Sequence, residues 1–200
     1  MKVSNIIWFV NSHEDWSYLS NALERGDYKD LIEVDLKGTA WSSEPAIMDA
    51  AYKTFGSLHA LCPHLKRLSV ICDVVGGEWE LDALGGIGIM QNLTDLTITL
   101  NSVEHSEWGS DEEDGEWTRE YIVPSIIAKL AKLEYLTIKS LSRFNYPRND
   151  VIVFDDDAFA DLVNLRMLRV RGFRYVGAMR LAKADPMPLL DLDGAEVETD

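Results

Sequence analysis

Four segments of the sequence repeat one short pattern: LKRLSV (65–70), LTDLTI (93–98), LEYLTI (133–138) and LRMLRV (165–170). Each has apolar residues at its first, fourth and sixth positions and variable residues between them. Two looser copies precede them, VSNIIW (3–8) and LIEVDL (31–36). Successive copies start 28, 34, 28, 40 and 32 residues apart, and six in succession indicate an internal repeat of uneven length.

The last four residues of each hexapeptide alternate between apolar and variable types, which is the periodicity of a β-strand with one buried face. This predicts strands near residues 3–9, 31–37, 65–71, 93–99, 133–139 and 165–171. Apolar residues at helical spacing follow three of them, at Trp16, Leu19 and Leu23, at Ile47, Met48, Ala51, Phe55, Leu58 and Leu61, and at Tyr121, Ile122, Ile126, Ile127 and Leu130. One strand–helix unit cannot bury its own apolar stripe, so stacked units with a parallel sheet are expected.

The hexapeptides resemble the leucine-rich repeat, whose signature is L-x-x-L-x-L-x-x-N/C, over about residues 3–173. The ninth position holds asparagine only at Asn11 and Asn101, which resembles an irregular intracellular subtype. The chain looks most like the C-terminal repeat region of F-box substrate adaptors, particularly the degenerate fungal kind, although no segment resembles the F-box itself. The resemblance implies an α/β solenoid of about six repeats, with a curved parallel sheet on the concave side and helices or irregular segments on the convex side. The repeat domain would span residues 1–184, with a C-terminal cap or acidic tail over 185–200.

Composition limits the class of partner. The chain has 200 residues, with 34 acidic against 19 basic side chains and a net charge of −15. Such a surface repels nucleic acid and anionic membranes. No apolar run is long enough to span a bilayer, no small-x-small cleavage site follows the first apolar stretch, and the two cysteines cannot form a disulfide scaffold. We therefore expect an intracellular protein, cytoplasmic or nuclear, whose partners are proteins.

The resemblance also predicts where a partner binds. In leucine-rich repeats the variable strand positions face outward on the concave side, and neighbouring repeats place them side by side. The predicted surface is apolar at Ile7 and Phe9, rich in threonine in the middle and cationic at its C-terminal end. The predicted partner-binding residues on these strands are Lys37, Arg67, Tyr135, Lys139, Arg169 and Arg171. The alternative is that Arg166, Arg169 and Arg171 only solvate the last strand and neutralise Asp155 to Asp157.

Two further features concern the ends and the insertions. The acidic loop insertion 104–117 carries Trp108 and Trp117, which either anchor a basic partner or belong to a solvated insertion. The first strand pattern leaves no room for an N-terminal cap. We expect the apolar end to be covered by a longer chain, by a homodimer or larger assembly, or by folding back of Met1 and residues 14–24.

No motif for catalysis or for a cofactor is visible. His59, Cys62, His64 and Cys72 have the residue types of a zinc site, but their spacing matches no zinc pattern, so no metal is expected. The preferred function is a non-catalytic protein-recognition module that binds a partner through its concave face, and a substrate receptor is the most specific version of it. The alternatives are an acidic, chaperone-like binder of basic proteins acting through loop 104–117, and an enzyme of unrecognised type.

Overall fold

The computed structural model describes residues 3–38, 45–75, 78–79, 86–102, 120–123, 125–140, 151–154, 159, 161–173, 175–176, 188–192 and 196–197. The strands are β1 (Asn5–Phe9), β2 (Glu33–Lys37), β3 (Arg67–Val75), β4 (Glu78–Trp79), β5 (Asp95–Ser102), β6 (Glu120–Val123), β7 (Tyr135–Ser140), β8 (Val151–Phe154), β9 (Met167–Arg171), β10 (Tyr175–Val176), β11 (Leu189–Asp191) and β12 (Glu196–Val197). The α-helices are α1 (His13–Glu24) and α2 (Pro45–Leu61), and Ile87–Ile89 and Ser125–Lys129 form 3₁₀ helices.

Seven strands form the main sheet in the order β1-β2-β3-β5-β7-β9-β11, all parallel, and β4 pairs antiparallel with β3. The predicted α/β class and parallel sheet are therefore confirmed. All six hexapeptides contribute a strand, and each strand begins at the third hexapeptide position, where the alternation starts. The equivalent residues Leu68, Leu96, Leu136 and Leu168 are register partners across neighbouring strands.

The backbone repeats one hydrogen-bond pattern at the start of each strand. The Ser4 carbonyl accepts from the amides of both Ile32 (2.7 Å) and Glu33 (3.1 Å). The carbonyl at the second position of four further hexapeptides likewise accepts from two successive amides. These positions are Ile32, Lys66, Thr94 and Glu134. Because each carbonyl binds the amides of the following copy, the pattern fixes the register between neighbouring strands.

Two sequence signals determine the ends of α1. The Ser12 side chain accepts from the Asp15 amide at 3.3 Å, and Asp15 Oδ2 accepts from the Asn11 amide at 2.9 Å, so Ser12 and Asp15 form a reciprocal N-cap. The helix is followed by Gly26, whose φ of 78° lies in the left-handed region that glycine favours. Trp16, Leu19 and Leu23 of α1 are buried, as their helical spacing predicts.

The third predicted helix is wrong. Residues 120–123 form strand β6, and residues 125–129 form only a short 3₁₀ helix. The EYIV segment combines an aromatic residue with two β-branched residues, which favour strands, and Pro124 directly follows it. The apolar residues predicted at helical spacing on α2 differ in burial. Leu61 is partly exposed (39%), whereas Phe55 and Leu58 are fully buried.

The C-terminal half contains a second parallel sheet in the order β12-β10-β8-β6. Along the chain, each strand of the second sheet follows a strand of the main sheet: β6 follows β5, β8 follows β7, β10 follows β9 and β12 follows β11. Ile152, Phe154 and Val176 of the second sheet belong to the same buried cluster as the main-sheet leucines. The segment predicted as a cap or tail, 185–200, contributes β11 to the first sheet and β12 to the second.

Candidate functional site

One face of the main sheet packs on the core, and the other is accessible to solvent. In β2 and β9 the second and fourth residues are buried while the first, third and fifth remain half-exposed. Parallel sheets usually have both faces covered. We call the accessible side the exposed face, and it comprises Asn5, Ile7, Phe9, Glu33, Asp35, Lys37, Arg67, Ser69, Ile71, Asp95, Thr97, Thr99, Tyr135, Thr137, Lys139, Met167, Arg169, Arg171, Leu189 and Asp191.

Side chains on the exposed face lie in rows because the strands are in register. One row runs through Asn5, Glu33, Arg67, Asp95, Tyr135, Met167 and Leu189. A second runs through Ile7, Asp35, Ser69, Thr97, Thr137, Arg169 and Asp191. Neighbours in a row are separated by the strand spacing of about 4.8 Å. A partner lying across the sheet would therefore meet a regular array of side chains held by the backbone.

The β1 end of the exposed face is apolar. Ile7 is 59% and Phe9 62% exposed, and both lie on the first strand of the sheet order. Ile6 and Trp8 of the same strand point the other way and pack against the core. Two large apolar side chains exposed together on one strand mark a candidate contact region.

The part of the face formed by β2, β3 and β5 mixes charges of both signs. Arg67 Nη2 lies 3.0 Å from Glu33 Oε2, and Lys37 Nζ lies 3.4 Å from Asp35 Oδ2. Burial raises the pKa of Asp95, the Arg67 guanidinium opposes that effect, and the carboxylates of Glu134 and Glu33 add to it. Asp95 therefore carries its charge at a cost to the folded state.

Replacing Asp95 by asparagine is expected to raise the free energy of unfolding at pH 7. A carboxyl whose pKa is raised in the folded protein binds its proton more tightly there, so its contribution to stability falls as pH rises from the unfolded towards the folded pKa. The gain from Asp95→Asn should therefore shrink as pH falls from the raised pKa of the folded protein towards the ordinary carboxyl pKa of 3.8, and should be absent below it. Urea unfolding between pH 3 and 7 measures this. The exposed Asp49→Asn variant on α2 is the control, and a loss of stability for Asp95→Asn at pH 7 would contradict the prediction.

The β9 end of the face is cationic. Arg169 Nε lies 2.7 Å from Asp191 Oδ2, and Arg171 Nη2 lies 3.3 Å from the same oxygen. The hydrogen bond from Arg169 lowers the pKa of Asp191, and that from Arg171 adds to the effect. Asp191 belongs to β11, which pairs with β9, so strand pairing brings this carboxylate to the two arginines.

The six predicted contact residues on the strands, Lys37, Arg67, Tyr135, Lys139, Arg169 and Arg171, all lie on the exposed face. Four of them, Lys37, Arg67, Arg169 and Arg171, also pair with carboxylates on the same face. Trp108 and Trp117 lie outside the described residues, as do Asp155 to Asp157, the carboxylates predicted to neutralise the C-terminal arginines.

The candidate metal-type residues do not form a site among the described residues. His59 and His64 are exposed, whereas Cys62 is 2% exposed and its Sγ donates to the Tyr28 carbonyl at 3.4 Å. Burial raises the pKa of the Cys62 thiol to about 11, which leaves it protonated and weakly nucleophilic at neutral pH. No group of three or more potential metal ligands comes together in the described part of the chain. The Cys72 side chain lies outside that part.

Comparison of the chain with protein-family models, with curated proteins and with solved structures gave no match. In the part of the chain that the structure describes, none of the helices has the length and apolar character needed to span a bilayer.

Proposed function

We propose that this chain is a non-catalytic protein-recognition module that binds its partner through the exposed face. The observation that carries the proposal is a parallel sheet of seven strands with one face open to solvent and lined by in-register rows of polar, aromatic and apolar side chains. Since a parallel sheet is ordinarily covered on both faces, an accessible one is suited to receive another surface.

The proposal extends to the architecture. A leucine-rich-repeat solenoid is supported by the hydrogen-bond pattern at the start of each strand and by a second recurring bond. In that bond the first leucine of a hexapeptide donates its amide to the carbonyl three residues earlier, as Leu65 does to Cys62 at 3.0 Å and Leu133 to Leu130 at 2.8 Å. Identical local geometry at equivalent positions is what stacked repeats produce.

Binding by such a surface depends on rigidity. The backbone of the main sheet is held by the strand ladders and by buried rows such as Leu68, Leu96, Leu136 and Leu168. Little conformational entropy of the receptor is then lost when a partner docks, which favours affinity. Tyr135, 36% exposed and flanked by Asp95 and Met167 in its row, is the aromatic side chain best placed to anchor a partner.

Site-specific photo-cross-linking tests the proposed face. A photoreactive residue at Tyr135 should capture partner protein in an extract of the native cells, whereas the same residue at Tyr52 should not. Tyr52 is a matched control because it is 51% exposed but lies on α2. Equal capture at both positions, or capture at Tyr52 alone, would contradict the proposal.

A substrate-receptor role of the F-box kind is the most specific version of this function, and it derives from the sequence resemblance. A ligase-scaffold protein should then appear among the proteins captured through Tyr135, and its absence would count against this version. The chaperone-like alternative depends on loop 104–117, which lies outside the described residues. Deleting that loop should abolish binding to basic proteins in the chaperone-like alternative and change little if the exposed face is the contact surface.

Self-association through β1 is a separate proposal. Asn5–Phe9 contains no charged residue, so it offers a second copy of this acidic chain an apolar surface without like-charge repulsion at the contact. We expect the protein to sediment as a dimer at micromolar concentration and Ile7→Lys to sediment as a monomer. A monomeric wild-type protein would contradict this proposal without affecting the one for the exposed face.

A further inference from the structure

Three neighbouring side chains in the first row of the exposed face are apolar. Tyr135 on β7, Met167 on β9 and Leu189 on β11 are register partners in succession, and we call them the apolar strip. Tyr135 is 36% and Leu189 61% exposed, and Met167 between them is half-buried. The other members of the row are polar: Asn5, Glu33, Arg67 and Asp95. The apolar strip is therefore confined to the β7–β11 end of the face.

Charged side chains beside the apolar strip are paired with one another. On the side where the strands begin, Arg166 Nε lies 3.3 Å from Glu134 Oε2. In the second row Arg169 Nε lies 2.7 Å from Asp191 Oδ2, an oxygen that also accepts a hydrogen bond from Arg171. A charged group of a partner would have to compete with these pairs, whereas an apolar group leaves them in place. The electrostatics of this region therefore complement a partner surface that is uncharged where it meets the strip.

The direction and spacing of the apolar strip select the shape of that partner surface. The strip runs across the strands and spans two strand spacings, about 10 Å. In an α-helix, side chains at positions i, i+3 or i+4, and i+7 lie on one side and span about 10.5 Å. In an extended segment, three side chains on one side span four residues, about 13 Å. A helix lying across the strands therefore matches the strip along its whole length, and an extended segment does not.

We propose that the apolar strip receives an amphipathic α-helix of a protein partner, which lies across β7, β9 and β11. Three apolar side chains from one side of that helix pack beside Tyr135, Met167 and Leu189, and its polar side faces solvent. The inference rests on the proposed function and specifies which element of the partner the exposed face binds.

Fluorescence anisotropy with defined peptides tests the inference. The probe is a labelled twelve-residue peptide with leucines at positions i, i+3 and i+7 and alanine and glutamine elsewhere, held helical by a side-chain cross-link on the opposite side. One control has the same composition and cross-link but its leucines are spread around the helix. A second control has leucines at alternate positions, a central proline and no cross-link. We expect the striped helix to bind more tightly than either control.

Matched variants of the protein locate the contact. Leu189→Lys should weaken binding of the striped helix about tenfold, because a leucine side chain buried at the contact is lost. Val163→Lys makes the same change at an equally exposed residue (61%) that lies outside the strands, and it should leave affinity unchanged. Tyr135→Ala, which adds no charge, should also weaken binding. Thermal melting of each variant confirms that it is folded.

Several results would overturn the inference. They are no measurable binding of the striped helix, binding of either control peptide as tight as that of the striped helix, and equal effects of Leu189→Lys and Val163→Lys. Slower sedimentation of Leu189→Lys than of the wild type would assign the strip to a second copy of the chain instead. If a partner captured through Tyr135 binds Leu189→Lys as tightly as the wild type, the helix inference fails and the proposed function stands. If Tyr135 captures no more than Tyr52, the proposed function itself fails.

Discussion

Alanine at Gly38 is expected to lower the free energy of unfolding by about 3 kcal/mol or more, because it combines a strained backbone with a backbone clash. Gly38 follows β2 with φ of +124°, which side-chain-bearing residues rarely adopt. A Cβ at this position would overlap the Val10 carbonyl oxygen and lie 2.7 Å from the Val10 carbonyl carbon. Val10 cannot move away freely, since its amide donates to the Lys37 carbonyl at 2.6 Å.

Chemical denaturation of Gly38→Ala, with soluble yield as a second measurement, checks this expectation. Gly26→Ala is the matched control: Gly26 also has positive φ, 78°, but nothing lies within 4 Å of its added Cβ. Gly26→Ala should lower the free energy of unfolding by only about 1 kcal/mol, because it adds backbone strain without a clash. Equal losses of stability in Gly38→Ala and Gly26→Ala would contradict the close approach of Gly38 to the Val10 carbonyl.

Truncation of Leu136 to alanine is expected to lower the free energy of unfolding by about 3 to 4 kcal/mol, which is typical when a cavity forms in a tightly packed core. Leu136 is fully buried on β7, between its register partners Leu96 and Leu168, which are also buried. The cavity would open in the middle of the leucine row, where strand pairing on both sides limits relaxation.

The adjacent residue provides the control. Tyr135→Ala removes a larger side chain, but from the exposed face, and should change stability by less than about 1 kcal/mol. The denaturant midpoints of the two variants compare their free energies of unfolding, provided that the dependence of that free energy on denaturant concentration is the same in both. Similar losses for Leu136→Ala and Tyr135→Ala would contradict the assignment of buried and exposed faces on β7.

Periodicity in the sequence was sufficient to predict six of the seven parallel strands of the main sheet, because alternation at period two reports directly which side chains are buried. It could not distinguish the second sheet from helices. Tyr121 and Ile122 belong to a four-residue strand, and over so short a segment apolar spacing fits either structure. The β-branched composition of EYIV followed by Pro124 was the available signal for a strand.

The exposed face was predicted position by position, since it follows from the same alternation. The pairing of Arg169 and Arg171 with Asp191 was not predicted. Asp191 lies outside the six hexapeptides and reaches the arginines only because β11 pairs with β9. The repeat of apolar residues at Leu190 and Leu192 around Asp191 resembles a strand but is too short to fix a register from sequence. The raised pKa of Asp95 likewise depends on neighbours from other strands, Arg67 and Glu33, and on Glu134.

The most direct test of the central claim is a steric block in the middle of the exposed face. Thr137→Trp places a bulky side chain between Thr97 and Arg169, its register partners on β5 and β9. Ala60→Trp places the same side chain on an exposed position of α2. With both variants melting as the wild type does, affinity for the partner captured through Tyr135 should fall about a hundredfold or more for Thr137→Trp, about 2.7 kcal/mol of binding free energy, and stay unchanged for Ala60→Trp. Undiminished affinity of Thr137→Trp would show that the partner does not bind on this face of the sheet.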